Sequence, residues 1–284
     1  KTFPKNIFQV WFQGCNSVDQ DKFKENMSNW KSLNPNWKYS CIDDKALRKA
    51  CYTYGCGELY DSLDIMHLKI DLGRYILVYL YGGIYVDMDA YVLRGLDYSK
   101  ALSDLINEYE VNGKEILGLS RFNSSRFENL IYTGNFSDPM LNNAILISSP
   151  KNTVLKEYID AVITKLEGIT QLENKGLINQ TVNFFNVGNT TGPYFFNTFF
   201  YYKARYSKTD SVIKLFDNEY FEPCIYKNGC SITENTISLH DPELSWLPKH
   251  VKVLFTTYKM YSNMILVVIL LVLMYLYVNK KLFF

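Results

Sequence analysis

Histidine is scarce in this chain, three in 284 residues, and no two of its six cysteines have CxxC spacing. A zinc ribbon or a thioredoxin-type redox site is excluded on that ground. A positive surplus is missing too: 30 Lys and Arg stand against 29 Asp and Glu, leaving +1 with His neutral. Nucleic-acid binders carry a basic footprint, so no nucleic-acid partner is expected. No internal repeat or low-complexity tract is visible, and charged residues at 21% with hydrophobic residues at 48% match ordinary globular usage. Fibrous repeats and intrinsic disorder are thereby excluded. The sequence opens at Lys1 without a Met or an apolar leader, and an upstream piece is expected to have been trimmed.

Aromatic residues are plentiful at 16%, with 23 Tyr and 18 Phe, which suits stacking surfaces or a membrane contact. A chain of this length buries roughly three quarters of its unfolded surface and needs no disulfide to fold. Cys51 and Cys56, and Cys224 and Cys230, each have the spacing to close a small loop. Five N-x-S/T sequons begin at Asn26, Asn123, Asn135, Asn179 and Asn189, a number near that expected by chance for so Asn-rich a sequence.

Met264–Val278 holds fifteen residues without a charge, Gly or Pro. As a helix this covers about 22 Å, and extension back to Tyr258 brings it to roughly 31 Å, near the thickness of a hydrocarbon core. Lys280 and Lys281 flank one end, and Tyr258, Tyr261, Tyr275 and Tyr277 suit the interfaces. The expectation is a catalytic domain over 1–250, a stalk over 251–257, a C-terminal transmembrane helix over 258–279 and a basic tail over 280–284. The chain would then be a single-pass membrane protein whose domain faces the cytosol rather than the lumen.

Periodicity predicts strands at Lys5–Phe12 and Trp37–Ile42, with an amphipathic helix at Asp19–Leu33 between them. A second helix follows Asp43-Asp44 and runs to about Tyr54, and a long, nearly all-apolar helix covers Ile65–Tyr81. Gly82-Gly83 stops the latter and leads into a strand at Ile84–Asp87. Helix and strand then alternate through Asp97–Tyr109, Glu115–Ser120, Asn143–Ser148 and Val154–Leu166. Further strands are expected at Val212–Phe216 and Thr236–His240. That rhythm predicts an α/β fold with a mostly parallel central sheet flanked by helices. Ligands of open α/β sheets sit beyond the carboxyl ends of the strands. Trp11, Asp87–Asp89, Asn142-Asn143 and His240 are therefore the residues to question.

Asp87 and Asp89 are two apart at a strand end, so their carboxylates share a face. Two such groups repel unless a cation or proton compensates, and Mn²⁺ or Mg²⁺, with oxygen ligands and phosphate oxygens completing the shell, would suit. Asp71 and Arg74 share one face of the preceding helix at i and i+3, either as a buried ion pair or aimed into a polar pocket. The Gly-Gly turn tethers them near the same strand end.

The run D-x-G-R-Y from Asp71 through G-G-I-Y-x-D-x-D at Asp89 resembles the DXD signature of family 32 glycosyltransferases. That group includes α-1,6-mannosyltransferases, inositol-phosphoceramide mannosyltransferases and α-1,4-glycosyltransferases. The opening P-K-N-I-F-Q-V-W and N-P-N-W-K-Y-S resemble its first blocks, and Asn143, Thr191-Gly192-Pro193 and His240…Ser245-Trp246 its later ones. The resemblance implies a GT-A (Rossmann-like) fold and retaining transfer of a hexose (mannose, galactose or N-acetylglucosamine) from GDP-mannose or a UDP-hexose. The acceptor would be a glycan, glycolipid or glycoprotein, and the expected C-terminal anchor, by topology alone, would put it at a membrane. Catalytic roles fall to Asp71, Arg74, Asp87 and Asp89, with Asp89 and His240 as ligands of a divalent metal, Mn²⁺ before Mg²⁺. Trp11, Tyr85, Asn143 and Trp246 would contact substrate. Two other readings stay open. A DxD phosphohydrolase would expect a Thr after the first Asp, which Asp87-Met-Asp89-Ala-Tyr lacks. An inactive, tethered glycosyltransferase-like binding module would have lost acidic residues that are all present here.

Overall fold

The helix that carries Asp71 and Arg74 is apolar almost all round, and such a helix is stable only when buried all round. In the computed structural model it spans Met66–Tyr81 (α4) and packs between a central sheet and its neighbouring helices. The structure describes residues 1–122, 124, 126–135, 137–174, 183–206, 209–225 and 229–241, together with Met264, Val268 and Leu271.

Six strands form the sheet: β1 (Asn6–Val10), β2 (Lys38–Ile42), β3 (Gly83–Val86), β5 (Ile116–Arg121), β6 (Leu141–Ser148) and β7 (Val212–Phe216). Their order is β2-β1-β3-β6-β5-β7. Pairings of β1 with β2 and β3, and of β5 with β7, are parallel; β6 runs antiparallel to both neighbours. The mixed α/β architecture with a mostly parallel sheet is therefore present, and β6 is its reversed strand. A separate ribbon pairs β4 (Ala90–Val92) with β10 (Ser238–His240), and a hairpin pairs β8 (Cys224–Ile225) with β9 (Gly229–Cys230).

Along β3 the side chains alternate between two cores, as a period of two requires. Tyr85 joins the core beneath α4, with Leu72, Tyr75, Ile76 and the aromatic residues Tyr158, Phe196 and Phe200. Ile84 and Val86 join the opposite core, with Trp30 of α1 (Asp21–Ser32) and Leu102 and Leu105 of α5 (Lys100–Glu110). The turn out of α4 needs glycine at both positions. Gly82 and Gly83 have φ of 66° and 116°, and a Cβ on Gly83 would lie 2.4 Å from the Asn6 carbonyl oxygen. Asp43 caps α2 (Asp44–Tyr54) by accepting from the Ala46 N–H at 2.8 Å.

Two sequence expectations are corrected. The first is the transmembrane helix over 258–279, and with it the single-pass membrane location and its cytosolic orientation: among the described residues no helix is long and apolar enough to cross a membrane. The uncharged run is too short by itself, and its extension had to take in Lys259, Ser262 and Asn263. Apart from Met264, Val268 and Leu271, the predicted stalk, span and tail lie outside the described residues. The second concerns the cysteines. Cys224 and Cys230 are bonded, but Cys51 and Cys56 are buried thiols, and Cys15 pairs with Cys41 instead. Gly55, in a left-handed conformation, ends α2 with the Cys56 N–H on the Cys51 carbonyl, the contact of a helix C-terminus and not of a bridge. Of the sequons, that at Asn26 is no surface feature: its side chain is buried and hydrogen-bonded. Asn135 and Asn189 are exposed, and Asn123 and Asn179 lie outside the described residues.

Candidate functional site

Because β1, β3 and β5 run in parallel, their carboxyl ends share one edge, and the reversed β6 brings its amino end there. Asp87 follows β3 directly and, like Tyr85, faces α4. Arg74 meets it from the helix: its guanidinium lies 3.1 Å from Asp87 Oδ1 and 3.0 Å from Asp71 Oδ1, and it donates to the Asn143 carbonyl at 3.1 Å. It also lies over the Tyr85 ring, 4.6 Å from the centroid, and the Tyr85 hydroxyl donates to Asp87 Oδ1 at 2.5 Å. Asp71 accepts from the Thr191 hydroxyl at 2.7 Å, and the Asn143 amide donates to the Tyr75 hydroxyl at 2.8 Å. Buried charges are tolerated only when compensated in this way. Arg74 Nε is buried and has no hydrogen-bond partner among the described residues.

Asn143 reaches the site through an irregularity in β6. Against β5, Leu119 pairs with Leu146 but Ser120 with Asn142, so residues 143–145 bulge from that ladder. On its other side β6 stays in register with β3 through Val86 opposite Ile145, and the Asp87 N–H continues that ladder onto the Ala144 carbonyl at 2.9 Å.

The backbone after Asp87 is fastened from several directions. Gln9 donates to the Asp87 carbonyl at 3.1 Å and is itself held by the Tyr39 hydroxyl at 2.8 Å. From α1, Asn26 donates to the Met88 and Ala90 carbonyls at 2.9 and 2.8 Å, and Trp30 Nε1 donates to Ala90 at 2.8 Å. Sequence reasoning gave neither Asn26 nor Gln9 a role, although Gln9 stands in the opening P-K-N-I-F-Q-V-W block; a side chain that acts on another segment's backbone leaves no local signal of that role.

His240 arrives through the small ribbon. Its register opposite Ala90 places Nε2 3.3 Å from Asp89 Oδ1, and the Asp241 N–H donates to the Asp89 carbonyl at 3.0 Å. Ligand-type atoms of Asp87, Asp89 and His240 all lie within 4.8 Å of one another. Burial pushes the Asp87 carboxyl up to about 6, with Arg74 opposing and Asp89 reinforcing the rise. Burial opposes protonation of His240, but the Glu222 and Asp89 carboxylates outweigh it and raise its pKa well above the ordinary histidine value. Two carboxylates and an imidazole with excess negative charge between them suit a divalent cation that takes oxygen and nitrogen ligands.

Of the remaining predicted residues, Trp11 follows β1 at the same edge, half-buried, tilted on Phe23 at 5.4 Å and sharing a cluster with Met88. Its Nε1 is buried without a partner among the described residues. Trp246 lies outside the described residues.

A family model described as the glycosyltransferase sugar-binding region containing the DXD motif matches residues 20–111. The chain is 28% identical over 128 residues to the initiation-specific alpha-1,6-mannosyltransferase of Candida albicans, covering 42% of this chain and 32% of that one. It is 26% identical over 257 residues to an uncharacterized glycosyltransferase of Acanthamoeba polyphaga mimivirus, covering 88% of this chain and 85% of that protein. The chain thus spans about a third of the yeast relative and most of the viral one. Among solved structures, the UDP-bound glycosyltransferase domain from the YGT toxin is similar with a TM-score of 0.45 at 10% identity, over 75% of this chain and 80% of that one. That likeness is too distant to bear on function.

Proposed function

We propose that this chain, a glycosyltransferase of the family defined by the DXD sugar-binding region, transfers a hexose from a nucleotide-diphosphate sugar to a hydroxyl of a glycan or glycan-bearing acceptor, with retention and with a divalent metal, Mn²⁺ first. The observation that carries this reading is the convergence of Asp87, Asp89 and His240 within 4.8 Å at the carboxyl edge of the sheet, beside the buried Arg74. When bound, the cation would stabilise the charge that grows on the departing diphosphate.

Asp89 and His240 would hold that cation, with Asp87 beside them for the metal or the donor's sugar and ribose hydroxyls. Arg74 pairs with Asp71 and Asp87 and holds both carboxylates in place, so the pocket is organised before substrate arrives. Tyr85 acts through its hydroxyl on Asp87, and Asn143 presents its backbone and amide to Arg74 and Asp71. Trp11, at the end of β1 with a buried indole N–H that has no partner among the described residues, would contact the nucleotide.

The test is a thermal-shift panel on the chain with GDP, UDP and their sugars, with and without Mn²⁺. A nucleotide that binds only the folded state raises the melting temperature according to RT ln(1 + [L]/Kd). A metal-dependent shift with one nucleotide, lost in Asp89→Asn, is the expected result and selects the donor class. Absence of a shift with every nucleotide would favour an inactive module.

A further inference from the structure

Glu222 belongs to no motif legible in the sequence, yet its side chain is only 8% exposed and lies against the candidate metal cluster. Both its oxygens stand 2.9 Å from His240 Nδ1. Glu222 Oε1 also accepts from the Asn142 amide at 2.6 Å. The opposite ring nitrogen, Nε2, is the one 3.3 Å from Asp89. The imidazole is therefore held at both ends, by one carboxylate inside the cluster and one outside it.

A histidine that ligates a metal through one nitrogen presents its N–H on the other, and the group that accepts this hydrogen selects the tautomer and sets the ring plane. In the neutral ring that binds a metal, a carboxylate at Nδ1 makes Nδ1 the donor and leaves the lone pair on Nε2, on the side of Asp89. The fold places Glu222 deliberately for this. It follows the short helix α10 (Asn218–Phe221), with its N–H on the Asn218 carbonyl at 2.8 Å. The Ile237 N–H donates to the Tyr220 carbonyl at 2.7 Å, fastening α10 to the segment that ends in His240. Asn142 comes from the bulged end of β6, so three segments distant in sequence meet at this carboxylate.

We propose that Glu222 is a positioning residue of the metal site, fixing His240 so that Nε2 faces the cation, with Asn142 steadying Glu222 in turn. This rests on the reading of Asp87, Asp89 and His240 as a divalent-metal centre. A carboxylate that orients a metal-bound histidine typically accounts for 10- to 100-fold in metal affinity.

The experiment measures Mn²⁺ affinity of the full chain by electron paramagnetic resonance of the free ion, with and without UDP or GDP, and melting temperature without metal. Variants are Asp89→Asn, His240→Ala, Glu222→Gln, Glu222→Ala and the His240→Ala/Glu222→Ala double. Glu222→Gln and Glu222→Ala are expected to weaken Mn²⁺ binding roughly 10- to 100-fold. The double variant should bind no more weakly than His240→Ala alone, because Glu222 acts through the ring. The near-isosteric Gln variant supplies the reading if the Ala variant fails to fold. Affinities within twofold of the parent in both Glu222 variants, while Asp89→Asn still weakens binding, would overturn the positioning role and leave the metal centre standing. A double variant much weaker than His240→Ala would also overturn it, as direct ligation by Glu222. Loss of the metal reading itself would show as no Mn²⁺ binding by the parent, or as Asp89→Asn binding like the parent, and would take this inference with it.

Discussion

Arg74 is the residue whose removal the structure makes most consequential. Arg74→Met keeps the length and much of the apolar stem, so the loss of packing against Tyr85 is partial. The charge is another matter. Asp71, 8% exposed, would retain the Thr191 hydroxyl but no cation, and Asp87, 23% exposed, would retain the Tyr85 hydroxyl. Breaking a buried ion pair by deleting one partner costs about 3–5 kcal/mol, because the other charge stays buried. Asp87 is open enough to recover hydration, so the figure is taken for one carboxylate and not two. At 2–4 °C per kcal/mol for a domain of this size, the melting temperature should fall by roughly 6–20 °C. Adding Asp71→Asn to Arg74→Met should recover about 0.5–3 kcal/mol of that loss, the range for residues in direct contact. Urea unfolding followed by tryptophan fluorescence measures both quantities. A loss under about 1 kcal/mol in Arg74→Met, or strict additivity with Asp71→Asn, would refute the view that Arg74 compensates the buried Asp71 carboxylate.

Two further outcomes follow from the same geometry. Gly83→Ala places a Cβ 2.4 Å from the Asn6 carbonyl at a positive φ, and is expected to destabilise the chain by about 1–3 kcal/mol, seen as a lower urea midpoint; an unchanged midpoint would contradict the strained turn. Asn26→Ala releases the Met88 and Ala90 carbonyls and strands the buried Val92 N–H, which Asn26 Oδ1 accepts at 3.3 Å, for about 1–3 kcal/mol. Because those carbonyls bracket Asp89, Mn²⁺ affinity should fall as well, and a purely structural role would leave it intact.

Much of the scaffold could be read in advance because its signals are local. The apolar run from Ile65 to Tyr81, the Gly-Gly stop and the short strand into Asp87 lie within one continuous stretch, and each appears where the period and the turn residues place it. The strand at Val212–Phe216 matches its prediction at both ends. Other features depend on partners distant in the chain. The reversal of β6 is set by its place between β3 and β5, and nothing in Leu141–Ser148 encodes a direction. His240 stood out as a scarce residue at a strand end, whereas Glu222 follows a four-residue helix without periodicity of its own. Asn26 read as a sequon because the tripeptide is local, while its hydrogen bonds reach more than sixty residues ahead. Cys15 and Cys41 meet because the parallel pairing of β1 and β2 brings the flanking loop over the second strand. The C-terminal span failed for a different reason: fifteen apolar residues satisfy a hydropathy pattern before they satisfy a length.

The central claim is that Asp87, Asp89 and His240 form a divalent-metal site serving a nucleotide-sugar donor. Its most direct measurement is release of nucleoside diphosphate from GDP-mannose and from UDP-hexoses by the chain, in Mn²⁺ and after chelation with EDTA. Parent activity with one donor, abolished by EDTA, restored by Mn²⁺ and reduced by orders of magnitude in Asp89→Asn and His240→Ala, is the predicted result. Release that is indifferent to EDTA, or that persists at the parent rate in Asp89→Asn, would contradict it.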